Sequence, residues 1–143
     1  RREQMTTVTV REEIRGAARD VWNVLSDFGG IQVGGPITSF QTEGEGVGMV
    51  RHIGMGHATI VEQLDRHDVD AMEFAYSIIN DDGPLPVSNY SASVRVSDKE
   101  DGLCEVVWTG TFEPKGASEE DAAKLVEGIY RSGIAGARKA VEG

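Results

Sequence analysis

Apolar residues return at every second position over most of this chain, and at every third or fourth position in only two stretches. Within residues 6–14, Val8, Val10 and Ile14 share one phase with Thr, Arg and Glu between them, which predicts a half-buried strand. Gly16 breaks it. Val21, Leu25 and Phe28 then fall at i, i+4 and i+7, predicting a short amphipathic helix over residues 17–28 with Trp22 beside its stripe. Residues 28–36 carry no clear period. Residues 37–43 and 49–53 read as strands on either side of a glycine-rich turn at 44–48. Four further alternating runs follow. Residues 58–65 place Ala58, Ile60, Glu62 and Leu64 on one phase, and residues 71–80 place Met72, Phe74, Tyr76 and Ile78. Residues 88–96 align Tyr90, Ala92, Val94 and Val96, and residues 103–113 align Cys104, Val106, Trp108, Gly110 and Phe112. The turns between them fall at Gly54-Met55-Gly56, Arg66-His67-Asp68, residues 81–86 and residues 98–102.

After Pro114 and Gly116, Ser118 reads as an N-cap followed by Glu119, Glu120 and Asp121, the acids a helix start favours. The helix extends to about Val141, with Leu125, Ile129, Gly133, Gly136 and Ala140 as its apolar stripe and Arg138 and Lys139 in its last turn. The order is strand, short helical segment, six strands, long C-terminal helix. One-sided alternation in successive strands predicts an antiparallel sheet with one wet face. Only the terminal helix is long enough to cover the other, so the expected fold is α+β: a curved seven-stranded antiparallel sheet wrapped around that helix.

Glycine makes up 18 of 143 residues, against a usual ~7%. Most of these punctuate the turns. Gly128, Gly133 and Gly136 lie inside the terminal helix, where each costs roughly 1 kcal/mol relative to Ala. Two explanations stand: close packing of helix on strand, or spared volume. Ala58, Ala92 and Gly110 on the inward phases add room, and a spared volume in a close-packed interior is a binding site. The inward phases then nominate Ile60, Phe74, Tyr76, Ile78, Tyr90, Trp108 and Phe112 as lining. Phe28 joins them from the first helix, and Ile129 and Gly133 from the last.

Charge and cysteine content narrow the partners. Lys and Arg total 14 and Asp and Glu 24, a formal net charge of −10, which argues against nucleic acid and against an anionic membrane surface. Residues 1–143 are the length of one domain, with 39% hydrophobic residues for its core. No apolar run reaches the ~18–20 residues of a membrane span. Arg1-Arg2-Glu3-Gln4-Met5 precedes no apolar region and reads as a frayed leader rather than a secretory signal. Cys104 stands alone, and no spacing of His, Cys, Asp and Glu matches a metal site, so no cofactor is expected. The glycines at 44, 46 and 48 lie between two strands with no helix after them, which removes a phosphate cradle. The expected setting is a soluble, cytoplasmic protein, with a homodimer left open.

The ordered set of motifs resembles the START-like, or SRPBCC, superfamily, and within it the polyketide cyclase/dehydrase branch of small bacterial proteins. The likeness is carried by Val21-Trp22 through Asp27-Phe28-Gly29, Gly48-Met49-Val50-Arg51 and Glu62-Gln63-Leu64-Asp65. It continues through Pro84-Leu85-Pro86-Val87-Ser88-Asn89-Tyr90 and from Val107-Trp108 to Phe112-Glu113-Pro114. It spans nearly the whole chain. The resemblance implies a helix-grip fold around a cavity for a lipophilic small molecule that is aromatic, polyketide-like or isoprenoid-like. Plant abscisic-acid receptors are similar at a distance; by that likeness Gly54-Met55-Gly56-His57 is a gate and Gly83-Pro84-Leu85-Pro86 a latch. Related chains often carry a Trp two residues before the proline of the lid segment. Here that segment is Gly34-Gly35-Pro36, which implies a wider or more mobile entrance.

The polar residues admit more than one reading. Glu62 points inward by phase, and Arg51 lies on the neighbouring strand. The two form a structural ion pair, anchor a ligand, or move protons with the raised pKa of a carboxyl in an apolar pocket. Tyr76 and Tyr90 need partners for their hydroxyls if buried, and either fill the core or hold a ligand carbonyl. Glu62, Arg51 and Tyr90 are thus the catalytic candidates if the chain is an aromatase/cyclase or dehydratase. Tyr130, one place off the stripe, borders the pocket mouth. His57, in the gate-like loop, is the one histidine placed for a ligand. His52 is outward and His67 sits in a charged turn. Lipophilic binder, enzyme, and module docking another protein through gate and latch all remain open.

Overall fold

In the computed structural model, which describes residues 5–142, seven strands form one antiparallel sheet in the order β1-β7-β6-β5-β4-β3-β2. The strands are β1 (Thr6–Arg15), β2 (Ser39–Glu43), β3 (Val50–Met55), β4 (Ala58–Asp68), β5 (Glu73–Ile78), β6 (Val87–Asp98) and β7 (Leu103–Pro114). Helix α1 (Ala18–Leu25) follows β1, and the long helix α2 (Glu119–Glu142) ends the chain. This is the expected helix-grip arrangement. The leader expected at residues 1–5 lies outside the described residues except for Met5.

Except in the edge strand β2, the strands bury the phase that carries their apolar residues. In β6, Tyr90, Ala92, Val94 and Val96 are buried, and in β4, Ile60, Glu62 and Leu64 are buried. Helix α2 starts where Ser118 caps it, with the Asp121 N–H donating to Ser118 Oγ at 3.1 Å. At the far end, Arg138 ties the helix to β1 through the Glu12 carboxylate at 2.9 Å and the Glu13 carbonyl at 3.0 Å.

Several expectations need correction. Helix α1 stops at Leu25, because Ser26 closes the last turn onto the Trp22 carbonyl; Phe28 is buried from the turn beyond. Ile37 precedes β2, paired only with Gly34 in an isolated bridge. Residues 66–68 continue β4 instead of turning. The register slips between Leu64 and Arg66, so Asp65 is the extra residue of a β-bulge and the strand bends without ending. The stripe of α2 is off by one. Its buried residues are Ala122, Val126, Tyr130, Ile134 and Ala137, whereas Leu125 and Ile129 are 44% and 39% exposed.

The glycines inside elements also mean something different from spared volume. A Cβ at Gly133 would meet the Trp108 ring at 2.7 Å, and one at Gly110 would run into the Tyr130 hydroxyl. Those two glycines make way for rings that stack on each other at 4.9 Å and 14°. Gly128 and Gly136 have no neighbour where a Cβ would stand, so neither close packing nor a void accounts for them.

Candidate functional site

Helix α2 does not cover the sheet evenly. It packs on β1, β7 and α1, and between it and the far strands β3–β6 a cavity of about 340 Å³ remains. Its walls are mainly apolar. Ile53, Met55 and Ile60 come from the β3–β4 hairpin, Leu85 from the β5–β6 loop, and Val126 and Ile129 from α2. The segment between α1 and β2 adds Ile31, Pro36 and Ile37. Ile129 and Ser132 on α2 and Pro36 opposite are exposed as well as cavity-lining, which puts the opening between α2 and that segment. A larger hollow of about 510 Å³ lies on the outer face of the sheet, but Arg11, Glu73, Ser93, Arg95 and Glu105 line it, and it is an open polar surface.

Besides Ser132 at the opening, two groups of polar side chains interrupt the apolar wall. Arg51 and Glu62 sit directly across from each other on β3 and β4. Both guanidinium contacts reach one carboxylate oxygen, Nε to Oε1 at 2.7 Å and Nη2 to Oε1 at 2.6 Å. Nη1 donates to the Phe28 carbonyl at 3.1 Å, and the guanidinium lies over the Phe28 ring at 3.8 Å. Among the described residues Glu62 Oε2 accepts no hydrogen bond. Burial pushes the Glu62 carboxyl above the usual carboxylate range, and the Arg51 charge pulls against that shift. The short contacts from the guanidinium are those of a charge-assisted pair.

The second polar group is a row of hydroxyls. Trp108 Nε1 donates to the Tyr76 hydroxyl at 3.2 Å; Tyr76 and Tyr90 hydroxyls lie 3.2 Å apart, and Tyr90 and Tyr130 hydroxyls 2.5 Å apart. Burial raises the pKa of all three phenols, so they remain neutral. The three strands β5, β6 and β7 bring Tyr76, Tyr90 and Trp108 onto one face, and α2 supplies Tyr130 from above.

Of the residues nominated from sequence, Arg51, Ile60, Glu62, Tyr76, Tyr90, Trp108, Ile129 and Gly133 line the cavity. Phe28 is set behind the wall, against Arg51 and Tyr76. Phe74 and Phe112 are buried behind Tyr76 and Tyr90, with ring centroids 6.2 Å apart in each pair. Ile78 borders a shallow crevice beside Leu85. His57 is exposed at the β3–β4 hairpin tip, off the cavity wall, while its neighbour Met55 lines it. Tyr130 is fully buried and not at the mouth. Ile31, Pro36, Ile37, Val126 and Ser132 lay outside the sequence reading. Ile31 and Pro36 belong to a stretch without a period, Ile37 opens a run read as strand, and Val126 and Ser132 sit beside a stripe displaced by one residue. The Gly34-Gly35-Pro36 segment, expected to leave the entrance without a bulky residue, is flanked by Ile31 and Ile37, which both face the cavity. Cys104 is buried far from it, and burial raises its thiol pKa. Among the described residues, no three of His, Cys, Asp and Glu gather as a metal would require, and no helix is long and apolar enough to cross a membrane.

The sequence matches the family described as polyketide cyclase / dehydrase and lipid transport over residues 5–142. The chain belongs to that family. Solved structures agree with the assignment. XoxI from Bacillus cereus is 30% identical, with 95% of each chain covered and a TM-score of 0.82. An uncharacterised protein from Bacillus thuringiensis is 31% identical, with 94% of this chain and 98% of that one covered and a TM-score of 0.80. Norcoclaurine synthase from Thalictrum flavum, solved with dopamine and hydroxybenzaldehyde, is 16% identical; 95% of this chain and 85% of that one are covered at a TM-score of 0.71, a likeness of fold. No curated protein matches the chain by sequence. In this member of the polyketide cyclase/dehydrase and lipid transport family, the Arg51–Glu62 pair and the Tyr76 and Tyr90 hydroxyls are polar groups on the cavity wall.

Proposed function

We propose that the chain binds a compact lipophilic small molecule, aromatic, polyketide-like or isoprenoid-like, in the cavity between sheet and α2. The observation that carries this reading is the cavity itself: about 340 Å³, apolar walls, few convergent polar groups, and an opening beside α2. That volume stands at the low end of the roughly 300–1,000 Å³ of small-molecule sites, which favours a ring compound over a long acyl chain. The family description includes lipid transport, and norcoclaurine synthase holds aromatic molecules on the same fold. Ile60, Tyr76, Tyr90, Trp108, Ile129 and Gly133 form the proposed contact surface, with Phe28, Phe74, Ile78 and Phe112 behind it. His57 has a place in this reading only if the β3–β4 hairpin closes over the ligand. In this reading residues 1–143 act as one ligand-binding unit in the cytoplasm. Native mass spectrometry of the purified protein, followed by thermal shift against a panel of hydrophobic metabolites, tests it. A copurified mass, or a melting temperature raised by ring compounds, is the expected result; no stabilisation by any of them overturns it. Size exclusion of the same samples reports whether the chain pairs into a homodimer.

Glu62 supports a second reading, an aromatase/cyclase or dehydratase. A carboxyl with a raised pKa and one unpaired oxygen facing an apolar cavity has the chemistry to move a proton, with Arg51 and Tyr90 orienting the substrate. Under this reading Glu62→Gln abolishes turnover of a polyketide-like substrate in protein that still binds it.

A further inference from the structure

Counting hydrogens along the tyrosine row leaves one over. Trp108 Nε1–H and three phenolic O–H groups supply four hydrogens, but the row has three links. Tyr130 is fully buried, lies off the cavity wall, and has the Tyr90 hydroxyl as its hydroxyl partner among the described residues. Leaving a buried donor unsatisfied is costly, so the Tyr130 hydrogen goes to Tyr90. The remaining hydrogens belong to Tyr76 and Tyr90, which share a single link. One of them therefore points away from the row, and both tyrosines line the cavity. The cavity thus offers a phenolic donor without an acceptor.

Across the same wall Glu62 offers the opposite. Tyr76 on β5 faces Leu64 on β4, so its side chain is diagonal to that of Glu62, two residues along on the same face. Glu62 Oε2 is an acceptor without a donor, on a residue 7% exposed. The positive charge beside it is already neutralised: Arg51 spends its guanidinium on Glu62 Oε1 and the Phe28 carbonyl. Among the described residues, no other Lys, Arg or His lines the cavity.

We infer that the cavity selects an uncharged ring compound that carries a hydroxyl, donated to Glu62 Oε2, and a carbonyl, accepting the free hydroxyl of Tyr76 or Tyr90, and that it rejects carboxylates. This rests on the binding reading above and adds the ligand's polar pattern and charge. An anion would meet Oε2 with no free cation to offset it. A saturated hydrocarbon would leave both the donor and the acceptor stranded.

The test uses a matched pair of probes on naphthalene. Both carry a hydroxyl on one ring; on the other, one carries an acetyl group and its partner a carboxylate in the same position. Isothermal titration at mildly alkaline pH is expected to give at least about tenfold tighter binding of the ketone. Tyr76→Phe and Tyr90→Phe singly each leave a hydroxyl free to turn into the cavity, so each holds ketone affinity within about threefold, while the double variant loses about tenfold. Glu62→Gln frees Arg51 and removes the repulsion, so the preference for the ketone disappears. Should Glu62→Gln fail to fold, the comparison of single and double tyrosine variants decides. Equal affinity for ketone and carboxylate in the unaltered protein overturns the inference, as does a double variant that binds the ketone unchanged. If neither probe binds while other ring compounds do, the polar pattern is wrong and the binding reading stands. If no hydrophobic compound binds at all, both fall.

Discussion

The two ends of this molecule are built from the same strands and the same helix, yet one is packed and the other hollow. At the packed end Ile14, Val21, Val94, Val106, Cys104 and Ile134 have no accessible surface, and α1 plugs the gap between α2 and the sheet with Ala18 and Trp22. At the hollow end no helix fills that role. An irregular segment contributes Ile31 and Ile37, α2 turns a half-exposed Ile129 toward the opening, and an ion pair and two phenols stand where the packed end buries mostly aliphatic side chains, an indole and a thiol. The lesson is a division of labour: stability resides where α1 docks, and the residues available for chemistry lie where it does not.

The largest expected effect breaks the packed end. Trp22→Ala removes a ring that touches His67 and Phe74 and is 2% exposed, and should cost ~3–5 kcal/mol in chemical denaturation. Ile129→Ala at the opening should change stability by less than about 0.5 kcal/mol, as an exposed side chain does. Equal losses at both sites would erase the distinction between the ends.

Arg51→Ala comes next. It leaves Glu62 as a lone buried carboxylate, a change worth ~3–5 kcal/mol at neutral pH. Without Arg51 the already raised Glu62 pKa rises further. The folded variant then holds its proton more tightly than the unfolded chain does, so the deficit shrinks as pH falls toward 4.5 and is fullest above the raised value. Denaturation midpoints of variant and parent across pH follow this directly, and a deficit independent of pH would mean that Glu62 does not carry the charge.

A pair of glycines sharpens the contrast within α2. Gly133→Ala drives a methyl into the Trp108 ring and should cost ~1–3 kcal/mol, with a shift in tryptophan fluorescence. Gly136→Ala, three residues on and facing open space, should instead stabilise by ~0.5–1 kcal/mol.

The smallest effect concerns charge at the packed end. The hydrogen bond from Arg138, with help from Arg131, holds the Glu12 carboxyl below its ordinary value of 4.5. Its contribution is present above that value and lost as pH falls through the lowered one, opposite in sign to Glu62. Glu12→Gln should flatten that loss by under about 1 kcal/mol, the scale of a partly exposed pair.

The fold was readable because strand alternation survives any detail of packing. Ile60, Glu62 and Leu64, or Tyr90, Ala92 and Val94, share a face whatever lies above them, and burial follows that phase. The helix α2 misled for the opposite reason. Leu125 and Ile129 are large aliphatic residues that look like core, yet the core takes Val126, Tyr130 and Ile134, and these two stand exposed. Glycines at 110 and 133 were rightly singled out, but for room that rings fill. Pairing of Arg51 with Glu62 followed from adjacent strands. The hydroxyl row did not, since Tyr130 belongs to α2 and only the docked helix brings it within 2.5 Å of Tyr90. Ile31 was invisible because an irregular segment has no period to betray its inward side, and Ile37, read as the start of a strand, lies ahead of β2.

The order of strands has a consequence for how the chain is made. β1 pairs along its whole length with β7, Thr6 opposite Phe112 and Arg15 opposite Leu103. During synthesis β1 therefore waits for β7, and α2, which covers the sheet, comes later still. Until then β2 to β6 form a meander with one uncovered greasy face. Pairings this distant in sequence are slow to close, so the nascent chain is most exposed to self-association in the interval before α2 arrives.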